Sequence, residues 1–513
     1  MTSSVTVSPV RDARAWRTAL GVTAAALAVR LIFAALLPLF PDETYYWDWS
    51  RHLAGGYFDH PPMIALLIRA GAPLAAMFGH PTAFAVRVVP VLAGGVASFA
   101  AIAIARRLAG DVAARWAALV FALMPLAASG LVLATPDAPL LAWTALATYG
   151  VVRALQSAPS SRESFAWWCA TGITLGLAFS SKFTSILLPL TLVVAVIIRP
   201  SLRVRLREPG PYVACVLATL VFLPVLHWNA THEWISFRFQ LQHGLGAPKG
   251  SAIKRELDLI GGQLGLVSPI VFVLMAAAVW RTLRDTRDDA RFALAVIATG
   301  SWVFFAYSAI RRPVEANWPA PSYISGAALL ASLAGATISA RWLRRGLQLA
   351  ALLVCVLYVH ALVPILPLPA RRDPVARSAG WGDLAARADA MRSTNGVRAW
   401  LGSDRYQDVS ELAYHATGQP DTFCTCLTGR HNQYELWPNF AQRAAVGDAL
   451  VLALDETPPN EPVHPTVILL TPHFTRVTRG SLVPLARRGD TVMVRRLWLL
   501  DGYRGGWPAR AEP

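Results

Sequence analysis

Residues 41–62 read Pro41-Asp42-Glu43-Thr44-Tyr45-Tyr46-Trp47-Asp48-Trp49-Ser50-Arg51-His52-Leu53-Ala54-Gly55-Gly56-Tyr57-Phe58-Asp59-His60-Pro61-Pro62. This acidic, aromatic stretch follows an apolar run, 18–40, long enough to cross a bilayer core of about 30 Å. Further runs lie at 81–105, 112–134, 136–155, 165–181, 183–198, 211–228, 264–280, 292–310, 321–340 and 347–368, which makes about eleven helices by hydropathy. The runs 165–181 and 183–198 are short, and a hairpin that does not cross fully is the alternative for that pair. Of 513 residues, 55% are hydrophobic and 15% charged, whereas a soluble domain has roughly 45–50% and about 25%. That excludes a soluble globular enzyme and predicts an α-helical polytopic membrane protein with a polar tail.

Lys and Arg number 47 against 31 Asp and Glu, a formal charge of +16. The basic residues sit in short clusters between apolar runs, so they report topology rather than a nucleic-acid partner. With the N-terminus cytoplasmic, alternate loops carry Arg106 and Arg107, then Arg153 and Arg162, Arg199 to Arg207, Arg281 to Arg291, and Arg341 to Arg345. Arg11, Arg14 and Arg17 precede the first run without a clear cleavage site, as in a retained start-transfer helix. The opposite loops are 41–80, the turns 135–137 and 180–182, 227–263, 310–320, and the tail, which is periplasmic in a Gram-negative cell.

The chain thus divides into a membrane part, 1–368, with interfacial helices in the first external loop, 41–80, and a periplasmic domain, 369–513. Stretches 400–406, 449–454, 466–470 and 492–499 read as short strands between turn residues, predicting a small α/β tail domain. Cys169, Cys215 and Cys355 lie in apolar runs as packed small residues. A disulfide between Cys424 and Cys426 in the tail would be strained, and their oxidation state is open. There is no glycine loop for a nucleotide and no repeat of fixed period.

Two carboxylates directly after a membrane helix suit a base whose pKa is set by partial desolvation and nearby cations. Asp42 and Glu43 occupy adjacent positions and point in different directions, so one of them serves. The alternative is a helix-capping Asp on an amphipathic interfacial helix.

The string 42–62, with Thr135-Pro136-Asp137, Ser180-Ser181-Lys182-Phe183 and Glu315-Ala316-Asn317-Trp318-Pro319-Ala320, resembles bacterial members of membrane glycosyltransferase family 39. That group is related to protein O-mannosyltransferases and lipid A aminoarabinose transferases. The resemblance covers about residues 15–368 and implies the GT-C fold. It also implies a polyprenyl-phosphate-linked sugar as donor, with inverting transfer to a glycolipid such as lipid A, a polysaccharide or a protein. The setting would be the outer side of the bacterial inner membrane. By position Asp42 is the implied catalytic base, and Glu43 orients the acceptor or the base.

The leaving phosphate calls for cations. Lys182 is the first candidate, one of three lysines with Lys249 and Lys254. Arg311, Arg312 and His60 are further phosphate ligands, each balanced by an interfacial or helix-capping role. Tyr45, Tyr46, Asp59, Asp137, His227, Asn229, Glu315, Asn317 and Trp318 are candidates for sugar or acceptor. The aminoarabinose transferases carry a lysine before the proline of the first loop, where this chain has Asp59-His60-Pro61-Pro62. That departure leaves the phosphate ligand open and argues against simply assigning aminoarabinose. No cofactor is indicated: His232 and Glu233 are not spaced as a zinc motif, and a divalent metal stays open because Asp42, Glu43, Asp137 and the nearby histidines could meet in space. A transporter or flippase of a lipid-linked sugar is the rival reading, and it would place ionisable groups deep in several spans. A tail-bearing sensor would leave the first-loop carboxylates without a role.

Overall fold

A computed structural model describes residues 11–79, 82–246, 250–394, 396–456 and 462–510. The chain forms two compact units, Met1–Leu36 with Ala54–Leu362, and Leu37–Leu53 with Val363–Pro513. The second takes in a segment that hydropathy groups with the membrane part.

The first unit is helical. Among the described residues, six helices are long and apolar enough to cross a membrane: Ala13–Leu36, Ala83–Leu123, Asp137–Gln156, Gly210–Thr231, Asp289–Arg311 and Ala340–Leu362. Two bent pairs, Phe183–Ile198 with Pro200–Arg207 and Ala252–Val267 with Pro269–Asp285, raise the number to eight. The protein is a multi-pass membrane protein. As one straight rod the 41 residues of Ala83–Leu123 would measure about 60 Å, twice the hydrocarbon thickness. The helix breaks at Ala109 and Gly110, where φ is 79° at the glycine, a value that costs a side-chain-bearing residue strain. Arg106 and Arg107 mark this break in the sequence.

Lipid tails offer helices no hydrophobic reason to associate, so small residues that admit close approach matter more than in water. Gly172 and Gly176 let the Arg162–Phe179 helix lie against Gly210–Thr231. A Cβ at Gly172 would stand 2.5 Å from the Ala214 carbonyl oxygen, and one at Gly176 2.6 Å from the Val221 Cβ.

Breaks in helices free backbone carbonyls that lipid cannot satisfy, and arginines take several of them. The Phe121 carbonyl would bond the amide four residues on, but that residue is Pro125, which has no N–H. Arg30 donates from Nη2 to this oxygen at 3.3 Å and from Nη1 to Ser98 Oγ at 3.1 Å. The Ala34 carbonyl faces the same deficit at Pro38 and receives Arg87 Nη1 at 3.2 Å. Both arginines are fully buried. Arg205 covers the carbonyls of Leu155 and Ser157, and Arg255 those of Ala309 and Ile310.

The second unit is built on a sheet ordered β2-β1-β3-β5-β4. Its strands are β1 (Ala399–Ser403), β2 (Thr422–Cys424), β3 (Ala449–Asp455), β4 (Phe474–Arg487) and β5 (Asp490–Tyr503). β1 runs parallel to β2 and β3, and β5 antiparallel to β3 and β4. Alternation along β3 feeds both faces: Val451 and Ala453 join a cluster with Trp381, Leu384 and Leu412, whereas Leu450, Leu452 and Leu454 join Phe440, Phe474 and Trp498. The expected strand at 466–470 is instead the short helix Pro465–Leu470. Its proline sits in the first turn, where the missing N–H costs nothing, and a five-residue apolar run does not distinguish strand from buried helix. Cys424 and Cys426 are disulfide-bonded to each other.

Replacing Arg30 by leucine would leave the Phe121 carbonyl buried without its charged donor. The expected cost is about 1–3 kcal/mol, seen as a lower thermal unfolding midpoint of the purified protein in lipid; an unchanged midpoint would rule out the cap.

Candidate functional site

The first-loop carboxylates lie at the start of a helix, Pro41–Arg51, in the second unit. Pro41 fits the first turn, and Glu43 folds back so that its carboxylate accepts the Phe40 N–H at 3.0 Å. That turn buries Glu43 and leaves Asp42 exposed. Asp42 Oδ1 accepts a hydrogen bond from the Tyr406 hydroxyl at 3.2 Å. Crowding by surrounding protein removes enough water to raise the Asp42 pKa above the usual carboxylate value. The Tyr406 hydrogen bond and the charges of Arg430 and Arg377 oppose that rise, and Glu43 adds to it.

The rest of this helix is held by packing. Tyr45 and Tyr46 are buried against Trp49, and the Tyr45 hydroxyl accepts the Gln433 N–H at 2.7 Å. Asp48 accepts Tyr434 Oη–H at 2.7 Å and Arg51 Nη1 at 3.1 Å. Thr44 and Ser410 share a hydroxyl hydrogen bond of 3.0 Å. Tyr406 and Ser410 belong to one helix, Tyr406–His415. On it Glu411 is fully buried, with His415 Nε2 at 3.3 Å. Burial lifts the Glu411 pKa to about 7, His415 opposes this, and Asp408 and Glu43 reinforce it.

A second cluster lies in the helical unit and joins three of the sequence motifs. Asp137 opens the Asp137–Gln156 helix, and Lys182 follows the Arg162–Phe179 helix in extended backbone. Asn317 stands in the turn before Ser322–Leu333. Lys182 Nζ donates to Asp137 Oδ1 at 2.7 Å, and Asn317 Nδ2 donates to Oδ2 at 2.5 Å. Both ionic partners are nearly buried, so each neutralises the other where neither would stand alone. The Met63 amide donates to the Ser180 carbonyl at 3.0 Å, which ties the end of the Asp59-His60-Pro61-Pro62 segment to the Lys182 turn. Asp59 is buried, His60 is half-buried, and the Asp59 carbonyl accepts Gln240 Nε2 at 2.6 Å.

Other candidates are placed differently. Trp318 lies 5.6 Å from the His243 ring and 6.0 Å from Phe305. Arg311 Nε donates to the Leu245 carbonyl at 3.2 Å, and Arg312 packs against Gly246. Asn229 is buried with its amide turned to the Val225 carbonyl of its own helix, whereas His227 and Glu315 are exposed. Lys249 lies outside the described residues. Among the described residues no three His, Cys, Asp or Glu side chains converge as metal ligands. Tyr406, Arg430 and Gln433 carry no motif, and only their placement beside Pro41–Arg51 reveals them.

The chain is similar to several known proteins. Residues 59–228 match a family described as dolichyl-phosphate-mannose-protein mannosyltransferase. The chain is 28% identical over 290 residues to the lipid A galacturonosyltransferase RgtD of Rhizobium johnstonii, an alignment spanning 56% of this chain and 59% of that protein. It is similar in fold to ArnT of Cupriavidus metallidurans bound to undecaprenyl phosphate, with a TM-score of 0.67 and 17% identity over 96% of this chain and 100% of that one. The apo form gives 0.64 and 16%, covering 94% and 97%.

Two outcomes are expected from this geometry. Asp137→Ala strands Lys182 as a buried unpaired charge and should cost about 3 kcal/mol in unfolding experiments, with Lys182→Met in the same chain restoring part of the loss; additive losses would contradict the pair. Glu411 binds its proton more tightly folded than unfolded, so its contribution to stability is full below about pH 4.5 and declines as pH rises towards 7. On the order of 3 kcal/mol is at stake at 1.36 kcal/mol per pKa unit. Unfolding of Glu411→Gln between pH 5 and 8 should lack this decline, and a slope equal to wild type would refute it.

Proposed function

We propose that this chain, a relative of the family 39 glycosyltransferases with their GT-C fold, moves one monosaccharide from a polyprenyl-phosphate carrier to a periplasmic acceptor. The acceptor is lipid A, another glycolipid, a polysaccharide or a protein. The name of the Rhizobium relative favours lipid A and makes galacturonic acid the first sugar to try. The undecaprenyl phosphate bound to the Cupriavidus protein favours a polyprenyl carrier. We place the enzyme in the bacterial inner membrane with about eleven crossings, a cytoplasmic N-terminus and a periplasmic tail. Each of the eleven apolar runs carries helix, and the positive-inside rule sets the orientation.

The observation that carries the reading is the exposed Asp42 carboxylate. It is next to Glu43, which the helix cap occupies, and its pKa is raised towards the range useful to a base. Asp42 takes the acceptor hydroxyl proton while that oxygen attacks the anomeric carbon. The bond from that carbon to the phosphate oxygen breaks on the opposite face, which inverts the centre and releases polyprenyl phosphate. Lys182 is the cation assigned to the developing phosphate charge, with Arg311, Arg312 and His60 as further ligands. Asp137 pairs with Lys182, and Asn317 fixes that carboxylate. Trp318 offers a ring face to a sugar, and Asp59, His227, Asn229, Glu315, Tyr45 and Tyr46 remain the other candidates for sugar or acceptor contact.

The test uses purified protein in lipid, supplied with polyprenyl-phosphate sugars extracted from the host and with envelope extract as acceptor. Polyprenyl phosphate released is read by mass spectrometry. Asp42→Asn should lower turnover about 10²- to 10⁴-fold with donor binding retained, and Lys182→Ala should weaken both. Wild-type turnover in Asp42→Asn would remove the base. Absence of any donor consumption, with Asp42→Asn indistinguishable from wild type in binding and in cells, would favour a flippase or sensor.

A further inference from the structure

The second unit brings the far end of the chain to the proposed base. Glu43 is committed to the Phe40 amide, so the helix leaves Asp42 alone at its second position with a side chain that would otherwise sample several rotamers. The Tyr406 hydroxyl meets Oδ1 at 3.2 Å. The Tyr406 ring is fixed in turn, with the Tyr45 ring centroid at 4.4 Å and the Arg430 guanidinium 4.7 Å from its own centroid. A cation over a phenol ring is attracted to the π face and draws density from the oxygen, which makes the O–H a better donor. The backbone around this pair is anchored as well: Ser410 bonds Thr44, and Gln433 bonds Tyr45.

We propose that Tyr406 and Arg430 are positioning residues for Asp42, which orient its carboxylate through Oδ1, stabilise its anionic form and leave Oδ2 to receive the acceptor proton. The tail is then part of the reaction centre rather than an accessory. The inference rests on the reading of Asp42 as base. The groups acting on Asp42 from this unit are Glu43 on its own helix, Tyr406 on the neighbouring helix, Arg430 on the segment between β2 and β3, and Arg377 before the helix Trp381–Ser393. Three of the four favour the anion, and Glu43 opposes it.

Removing either positioning residue therefore moves the protonation of Asp42 to higher pH. The experiment is an infrared difference titration of full-length protein in lipid, in which the carboxyl band absent from Asp42→Asn reports Asp42. Tyr406→Phe keeps the ring and its packing, and should shift the midpoint upward by about one pH unit. Arg430→Gln should shift it in the same direction, and Arg430→Lys should recover much of the wild-type value. The acid limb of polyprenyl-phosphate release should move with the titration. An unmoved midpoint in both Tyr406→Phe and Arg430→Gln, with each melting like wild type, overturns the proposal. This outcome is separate from failure of the base assignment, which is read from turnover in Asp42→Asn alone.

Discussion

A backbone carbonyl buried in a membrane must find a donor, and much of this molecule answers that single constraint. Straight helices answer it internally, yet a chain that crosses many times must break its helices at prolines and at their ends. Arginine solves the problem because its guanidinium carries five donors in a rigid fork and stays charged. Arg30 and Arg87 reach the carbonyls that Pro125 and Pro38 orphan, and Arg205 and Arg255 close helix ends, Arg255 on neighbouring carbonyls. Once those ends are closed, the helix starts that carry Asp137 and the turns that carry Lys182 and Asn317 are free to meet.

The two charged centres are built on opposite principles. Lys182 and Asp137 are nearly buried and mutually neutralised, so they form a fixed dipole with Asn317 setting its direction. Asp42 is exposed, with desolvation pulling its affinity for protons up and a tyrosine and arginines pulling it down. The contrast suits the roles proposed for them: a phosphate ligand profits from permanence of charge, whereas a base profits from balance, because it must give up its proton in one half of a cycle and take one in the other.

Periodicity and composition made the helical class, the break behind Arg106 and Arg107, and the strands at Trp400 and Val451 readable from sequence. The meeting of Asp137 with Lys182 and Asn317 was foreshadowed by their motifs falling at the same end of successive helices. Other features were hidden for physical reasons. β4 alternates little because much of it is exposed, and the 466–470 run was too short for its period to decide. The bond from Phe40 to Glu43 and the burial of Tyr45 and Tyr46 were not readable either, because both depend on how the Pro41–Arg51 helix packs. Tyr406 and Arg430 carry no signal because their relation to Asp42 exists only through folding across more than 360 residues of chain.

That separation has a consequence for the timing of the protein's birth. The Tyr45 hydroxyl waits for the amide of Gln433, 388 residues downstream, and at 5–20 residues per second the ribosome needs roughly 20 to 80 s to supply it. Throughout that interval the Pro41–Arg51 segment is already made, with its tyrosines and tryptophans unburied and nothing yet to dock on. A nascent chain of this kind is exposed to aggregation or to chaperone capture at this early segment. Its Asp42 likewise lacks Tyr406 and Arg430 until the second unit is being made, so a ribosome that stalls before them leaves the Pro41–Arg51 helix without its partners.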